Sequence, residues 1–431
     1  MKKNWIKCLC IAGVFVLAVT GMTGCNEAKS AYKDGLAFME KEDYEAAASC
    51  FETAIKENDE KAEYYIAYGM ALLKSGDAEA SIKVFGKAII STDNKIVREN
   101  NKQAYKGRGI AYYECHEYAL AIQDFKDALE INEKKDMDAE ILELKAEVEK
   151  ISGDYENALT SYEELIKLDE KNEAAYLNRA ALETMMEKYE DAIADYDKII
   201  KLNAKNFDAY FGKYDTYLAK GEEDKAKEAL DAATAIEMKT TKDKYNVARA
   251  YFYKGDYGTA ESYLNEVIED GDADAWYFLG QISQAKPDYD KAIQQYEQYI
   301  ASTSVLTSAK VYNQLAGCYM EKENYVQALS YALEGLQLKD KETEQVLTYN
   351  TIIIYEKLGD FKKARKMAKD YKRAYPDDES VEKELTFIKT RIADKKNKAD
   401  DDTKTDVPDD TKTEDGKGAT GAAVTGNADS E

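Results

Sequence analysis

Apolar residues recur along most of the chain at intervals of three and four positions, which is the spacing of an amphipathic helix. The stretch GDYENALTSYEELIKLDEKNEAAY at residues 153–176 shows this spacing, and variants of it begin again at Gly255 and Gly359. In each copy a glycine and an aspartate precede an aromatic residue, at a place where one helix must end and the next begin. The pattern therefore predicts pairs of helices that are repeated along the chain.

Aligning the copies on this corner gives a period of roughly 34 residues. About ten copies are expected, and extra residues around 96–101 indicate a longer loop or a helix extension before the third copy. The copies start near residues 28, 62, 102, 139, 173, 207, 241, 273, 309 and 345.

Small and bulky residues recur at matching places in the copies. Two helices approach closely only where one side is small, so each glycine of a first helix is expected to face the alanine of its second helix. Large rings are expected to fill the space beside them. These positions are Gly35, Gly69, Gly109 and Gly280 in first helices, Ala47, Ala121, Ala158, Ala192, Ala226, Ala260, Ala292, Ala328 and Ala364 in second helices, and the rings of Phe51, Phe85, Phe125, Tyr162 and Tyr196.

The corner between the two helices of a pair is also readable. His116 takes the glycine position in the third copy, and we expect it to be a surface turn residue, since histidine tolerates left-handed backbone better than most residues. Pro287 falls on the same corner, but its ring restricts φ to negative values, so this corner is expected to be built differently. Positive φ is predicted at Gly76, Gly153, Gly221, Gly255 and Gly359.

The period, the corner and the recurring small residues resemble the tetratricopeptide repeat. The resemblance implies an all-α fold, a right-handed α-solenoid of about ten helix hairpins at residues 28–376. Apolar residues at helical spacing in ESVEKELTFIKTRIA predict one further helix, at residues 377–394, that caps the open end. Three prolines and 33% charged residues agree with long helices rather than a sheet protein.

Charge and composition narrow the class of partner. Residues 395–431 contain no aromatic residue, and they are predicted to form a disordered, solvated acidic tail because they cannot bury enough apolar surface to fold. A tail that binds a partner is the alternative.

The formal net charge of the chain is −24, and its basic residues are interspersed with a larger number of carboxylates, so no nucleic-acid partner is expected.

The first residues form a separate segment, with a basic MKKNWIK, an apolar CLCIAGVFVLAVT and small residues before a cysteine. This order is that of a secretory signal peptide. The sequence MTGC at residues 22–25 resembles the bacterial lipobox. The resemblance implies that residues 1–24 are removed and that Cys25 carries a lipid, followed by a short linker at residues 25–27.

The chain is then expected on the extracytoplasmic face of a bacterial membrane, inner or outer, held through this N-terminal lipid alone. Two alternatives are an uncleaved membrane anchor, since the run from Cys8 to Cys25 is uncharged, and simple secretion without lipidation.

The sequence predicts no catalytic site, no cofactor and no metal site. His116 is the single histidine, and neither a zinc-protease motif nor a phosphate-binding glycine loop is present. Cys50, Cys115 and Cys318 fall in the first, third and ninth copies, which do not touch in a stack where only neighbours make contact. The enzymatic alternative, a helical-toroid glycosidase, is opposed by the short regular repeat and by Trp276, the only tryptophan after the signal segment.

In the tetratricopeptide family the first helices line a concave groove that holds protein or peptide segments. The resemblance therefore implies a non-catalytic scaffold or assembly factor. Aromatic residues around an arginine mark the expected binding site, because these residue types are enriched at binding hot spots. Packing between successive first helices is the alternative role for the same residues, and cell-wall glycan is the alternative ligand. The predicted partner-binding residues are Phe211, Tyr245, Arg249, Phe252, Tyr253 and Tyr277.

Overall fold

The structure, a computed structural model, describes residues 27–302 and 308–402, and every regular element in these two ranges is helical. The predicted signal peptide, Cys25 and the part of the predicted tail at residues 403–431 lie outside the described ranges. Within them, no helix combines the length and the apolar character needed to cross a membrane.

The described part of the chain divides into two units, with the boundary between Tyr263 and Leu264. In the first unit each first helix packs against its own second helix, and most first helices also contact the next first helix. The first helices are α1 (Glu27–Glu40), α3 (Ala62–Ser75), α5 (Lys95–Glu114), α7 (Asp138–Ile151), α9 (Glu173–Met185), α11 (Phe207–Lys220) and α13 (Thr241–Tyr253). The second helices are α2 (Tyr44–Glu57), α4 (Ala78–Ala88), α6 (Tyr118–Glu130), α8 (Tyr155–Leu168), α10 (Tyr189–Leu202) and α12 (Glu223–Thr234). A 3-10 helix at Lys135–Met137 precedes α7. The second helix that follows α13 is α14 (Tyr257–Glu269), which extends across the boundary between the units.

The second unit continues the same arrangement of paired helices. Its hairpins are α15 (Ala275–Ala285) with α16 (Tyr289–Ser302), α17 (Ala309–Glu321) with α18 (Tyr325–Gln337), and α19 (Lys341–Lys357) with α20 (Phe361–Ala374), and a single helix, α21 (Ser380–Asp402), follows. The predicted fold class, all-α with repeated hairpins of the solenoid type, is confirmed for the described ranges.

The third hairpin shows where the extra residues go. Its first helix, α5, begins at Lys95 rather than near residue 102, so the insertion extends the helix at its N-terminus. The Asn94 side chain accepts a hydrogen bond from the Val97 amide at 3.0 Å and caps this extension. Of the two expected solutions, a longer loop or a longer helix, the chain uses the longer helix.

Helix α21 packs against α20 and α19, with Val381 and Ile388 fully buried. It extends to Asp402, beyond residue 394 where the sequence predicted its end. The sequence KKNKADDD at residues 395–402 explains this difference, because lysine and alanine favour helix and no glycine or proline interrupts the run.

The closest neighbour of Gly35, Gly69, Gly109 and Gly280 is in each case an aromatic ring of the second helix. A Cβ atom on Gly35 would lie 2.6 Å from the Phe51 ring, and one on Gly109 would lie 2.7 Å from the Phe125 ring. The rings that the sequence placed beside the glycines thus make the nearest contact, and the expected approach of the second-helix alanines stays a prediction. The Phe51 ring lies one turn beyond the buried Ala47 of its helix and reaches across to the bare backbone of Gly35.

Left-handed corners close the hairpins as predicted. The angle φ is 94° at Gly76, 84° at Gly153, 81° at Gly221, 78° at Gly255 and 73° at Gly359. At the first of these corners the Asp77 amide donates to the Leu72 carbonyl at 2.9 Å, which satisfies an end carbonyl of α3.

Several corners take this conformation without glycine. His116 has φ of 62° and is exposed, which confirms its prediction as a surface turn residue, and Glu187 has φ of 59°. The prediction that the Pro287 corner is built differently is wrong, because it is closed by the same kind of hydrogen bond as the glycine corners. The corner keeps the closed form of the others through a hydrogen bond from the Asp288 amide to the Ser283 carbonyl at 2.9 Å.

Candidate functional site

The predicted cluster lies on α11 and α13, the first helices of consecutive hairpins in the first unit. The N-terminus of α13 is fixed by a capping box in which the Asp243 amide donates to the Thr240 hydroxyl at 3.0 Å and the Thr240 amide donates to Asp243 at 3.2 Å. Lys205, just before α11, donates to the same Asp243 carboxylate at 2.7 Å. This hydrogen bond lowers the pKa of Asp243, so an ion pair ties the start of α13 to the preceding hairpin.

A buried apolar cluster lies beneath the site and sets the spacing of the two helices. Phe211 and Tyr210 of α11 pack with Val247 and Ala250 of α13 and with Leu230 of α12. Because these side chains are nearly or fully buried, the helix faces that carry the predicted residues are held in a fixed register.

Arg249 lies between two aromatic rings. Its guanidinium is 4.5 Å from the centre of the Phe211 ring and 5.8 Å from the centre of the Tyr245 ring, and its Nη1 donates to Asn246 at 3.0 Å. The guanidinium is half-buried, and its contact with Phe211 joins one hairpin to the next. A cation held over ring faces in this way keeps its charge in a fixed position.

Tyr253, at the end of α13, combines ring contacts with exposure to solvent. Its ring centre lies 5.6 Å from Phe211, 5.9 Å from Tyr214 and 5.5 Å from Phe252, and 39% of the residue is exposed. Burial raises the pKa of Tyr214, so this phenol is neutral. Aromatic side chains that are held by neighbours and still exposed lose little conformational entropy when they are covered.

The structure brings five of the six predicted residues together. Four of them form what we call the aromatic–Arg cluster, Phe211, Tyr245, Arg249 and Tyr253, and the Phe252 ring contacts Tyr253 at its edge. Phe252 is half-buried and also packs against Tyr257 of α14, with ring centres 5.6 Å apart. Tyr277 belongs to the second unit, where its ring contacts Tyr296 and Tyr299 at 5.9 and 5.8 Å.

One member of the cluster needs correction. Phe211 is 7% exposed, so it belongs to the core and supports Arg249 instead of offering its own surface to a partner. Tyr214, three positions after Phe211 on the same helix face, was missed. Its spacing from Phe211 is the signal that could have identified it.

Two other arginines inside the hairpins form ion pairs in which both carboxylate oxygens accept a hydrogen bond. The guanidinium of Arg108 donates to both oxygens of Asp124 at 2.7 Å, and that of Arg179 donates to Asp195 at 2.7 and 2.8 Å. Each pair joins a first helix to its second helix. Glu183 lies beside the second pair, and burial, with a smaller contribution from Asp195, raises the pKa of this carboxyl to about 7.

Most of the chain between residues 32 and 378 matches family models of the tetratricopeptide repeat. Three family models match: a tetratricopeptide repeat model at residues 32–96, 186–237 and 245–305, a TPR repeat model at residues 146–186, and a second tetratricopeptide repeat model at residues 347–378. The aromatic–Arg cluster lies in the last two segments of the first model. No curated protein matches the chain.

Three solved structures are similar to this chain, each at 20% sequence identity or less. YrrB, described as a TPR protein with an unusual peptide-binding site, is 20% identical over 50% of this chain and 97% of its own, with a TM-score of 0.37. A tetratricopeptide repeat protein from Parabacteroides merdae is 15% identical over 68% of this chain and 99% of its own, with a TM-score of 0.41. Yeast Tom70 is 14% identical over 86% of this chain and 96% of its own, with a TM-score of 0.40.

Proposed function

Because the chain is built from tetratricopeptide repeats, we propose that it is a non-catalytic scaffold or assembly factor that holds protein segments at the surface of a bacterial membrane. Tetratricopeptide repeats generally bind protein or peptide partners, and proteins built from them are generally non-catalytic. The binding surface we propose consists of Tyr214, Tyr245, Arg249 and Tyr253, with the buried Phe211 ring beneath it.

The exposed ring of Tyr253 is the observation that carries this proposal. It stands beside a guanidinium that Phe211 and Tyr245 hold in place, so apolar contact area and a fixed positive charge lie side by side. Tyrosine and arginine in this arrangement are the residue types that contribute most to protein–protein affinity. The partner that fits is a segment with apolar side chains that cover the rings.

The lipid anchor rests on the N-terminal sequence. Basic residues, an apolar run and MTGC at residues 22–25 stand in the order of a lipoprotein signal. Lipidation of Cys25 would place the chain on the extracytoplasmic face of the membrane, and the partner would then be an extracytoplasmic protein.

Site-specific photo-cross-linking in intact cells tests the binding surface. A photoreactive phenylalanine analogue at position 253 replaces one aromatic ring with another and should capture a discrete protein. Tyr155, at the start of a second helix in the same unit, supplies the matched control, since 37% of it is exposed against 39% of Tyr253. Capture of the same proteins from positions 155 and 253, or no capture from position 253, would contradict the proposed surface.

A further inference from the structure

Helix α20 differs in charge from the other second helices. Its sequence, FKKARKMAKDYKRA, contains seven Lys and Arg residues and one Asp, in a chain with a formal net charge of −24. Among the second helices of the other hairpins, only α4 has more basic than acidic residues, with Lys83 and Lys87 against Glu79. The basic character therefore belongs to this helix and not to the repeat.

The charges lie on the face of α20 that points away from the core. Ala364, Ala368 and Tyr371 are buried against the neighbouring helices. Four exposed basic residues, which we call the basic stripe, recur at intervals of three and four positions and so lie on one line along the helix. The basic stripe consists of Lys362, Lys366, Lys369 and Arg373.

Most of the stripe has no partner among the described residues. The neighbouring Lys363 pairs with Asp360 at 3.1 Å, Lys372 pairs with Glu382, and Arg373 lies 3.4 Å from Asp370. Lys362, Lys366 and Lys369 make no ion pair within the described part of the chain. Because these exposed lysines lie in one row and make no ion pair there, α20 presents a local binding site for an anionic segment, although the chain as a whole is acidic.

The same chain supplies an anionic segment close by. Helix α21 runs antiparallel to α20, because Glu382 pairs with Lys372 at one end and the Phe387 ring lies 6.3 Å from the Phe361 ring at the other. The chain leaves α21 at Asp402 and continues as TKTDVPDDTKTEDGK. Residues 406–415 of this sequence contain five carboxylates and one lysine.

The lengths allow this segment to reach the stripe. Asp402 lies 15 residues beyond Phe387, which places the end of α21 about 22 Å past the Phe361 end of α20. An extended chain from residue 403 to residue 415 spans up to about 40 Å, and α20 itself is about 21 Å long. The extended chain reaches α20 at about residue 409, so Asp409, Asp410, Glu414 and Asp415 can lie along much of this helix.

We infer that the acidic segment at residues 409–415 docks on the basic stripe of α20 within the same molecule. Its carboxylates face Lys362, Lys366, Lys369 and Arg373, and the short connection gives the segment a high effective concentration at the stripe. Charge pairing of this kind needs no folded tail, and because the pairs are exposed the docking weakens as salt is added. The inference does not depend on the lipid anchor or on the aromatic–Arg cluster.

Zero-length carbodiimide cross-linking of the full chain tests this docking, since the reagent joins a lysine amine to a carboxylate only when the two are in contact. At low ionic strength, we expect cross-links within one molecule between the stripe lysines and Asp409, Asp410, Glu414 or Asp415. Their yield should fall about tenfold in roughly 0.5 M salt, where charges are screened within a few ångströms. Replacement of Asp409, Asp410 and Asp415 by Asn should lower the yield in the same way.

Two controls keep the result interpretable. The Lys363–Asp360 contact should cross-link equally in the parent and in the triple-Asn variant, which shows that the reagent and α20 are intact. The triple variant Lys362→Gln, Lys366→Gln, Lys369→Gln changes only exposed side chains, so its helicity should match that of the parent. Cross-links between the tail carboxylates and the remaining lysines should not increase in this variant.

Three outcomes would overturn the inference. They are absence of stripe-to-tail cross-links at low salt, cross-links that form only between molecules and rise with protein concentration, and occupation of the stripe by another anion. The last would appear as binding of the full chain to phosphatidylglycerol vesicles that is lost in the triple-Gln variant, with no tail cross-links in solution.

Discussion

Gly69 of α3 lies against the ring of Phe85 of α4 so closely that a Cβ atom on the glycine would stand 2.9 Å from the ring. Phe85 is fully buried, so the ring has little room to move. The same relationship recurs at Gly35, Gly109 and Gly280, which makes contact between glycine and an aromatic ring the packing unit of these hairpins.

Gly69→Ala is therefore expected to lower the free energy of unfolding by about 1–3 kcal/mol through overpacking. Gly86, on the second helix of the same hairpin, provides the matched control, because its added Cβ would meet only Arg108 Nη1 at 3.6 Å. Gly86→Ala should raise stability by up to about 1 kcal/mol through helix propensity. Urea unfolding monitored by circular dichroism measures both, and equal effects of the two substitutions would contradict the packing unit.

Glu187→Gly should stabilise the fifth hairpin by about 0.5–1 kcal/mol, because Glu187 has φ of 59° and glycine adopts this conformation without steric cost. Glu187→Ala separates the backbone effect from loss of the side chain and should give no such gain. Hydrogen exchange of the amides at the end of α9 reports the change, and equal protection in the Gly and Ala variants would refute the explanation.

Much of the fold could be predicted from the sequence, since a regular period fixes where helices begin and end. The starts of nine hairpins lie within a few residues of their predicted positions, and only α5 begins clearly earlier. Periodicity identifies the buried face of a helix but not how deeply each side chain reaches. For that reason the sequence placed the rings beside the glycines but did not show that they make the nearest contact.

The candidate site was predicted less completely, because its main contact joins two copies of the repeat. The spacing within α13 places Tyr245, Arg249 and Tyr253 on one face, and the structure agrees. No pattern within one copy shows that the Arg249 guanidinium lies over Phe211 of the preceding copy, or that Phe211 is buried. The predicted binding role of these residues stays a prediction.

Glu183 should make the stability of the α9–α10 hairpin depend on pH. Its pKa is raised from 4.5 to about 7, so the folded state favours the protonated carboxyl. The stabilisation is complete below about pH 4.5 and is lost as pH rises through 7, with a total change on the order of 1–3 kcal/mol.

Glu183→Gln keeps the neutral form at every pH and tests this directly. Hydrogen exchange in α9 and α10 should show greater protection than in the parent at pH 8, with no difference near pH 4.5. A difference between variant and parent that is the same at both pH values would show that ionisation of Glu183 has no part in it.

Cys25→Ala should block lipid attachment and leave the chain unprocessed or released from the membrane. Fractionation of cells with mass measurement of the N-terminus checks this prediction. A variant that is processed and membrane-bound like the parent would rule out lipidation at Cys25, and cross-linking at position 253 would remain a separate test of partner binding.

The affinity of Tyr253→Ala for the captured partner segment tests the proposed binding surface most directly. Removal of this ring should raise the Kd about tenfold or more, with unfolding unchanged, because an exposed aromatic anchor is lost while the buried cluster beneath it remains. Tyr155→Ala, at an equally exposed tyrosine on a second helix, should bind like the parent. An unchanged Kd for Tyr253→Ala, or a loss of affinity that parallels a loss of stability, would show that the ring serves packing and not recognition.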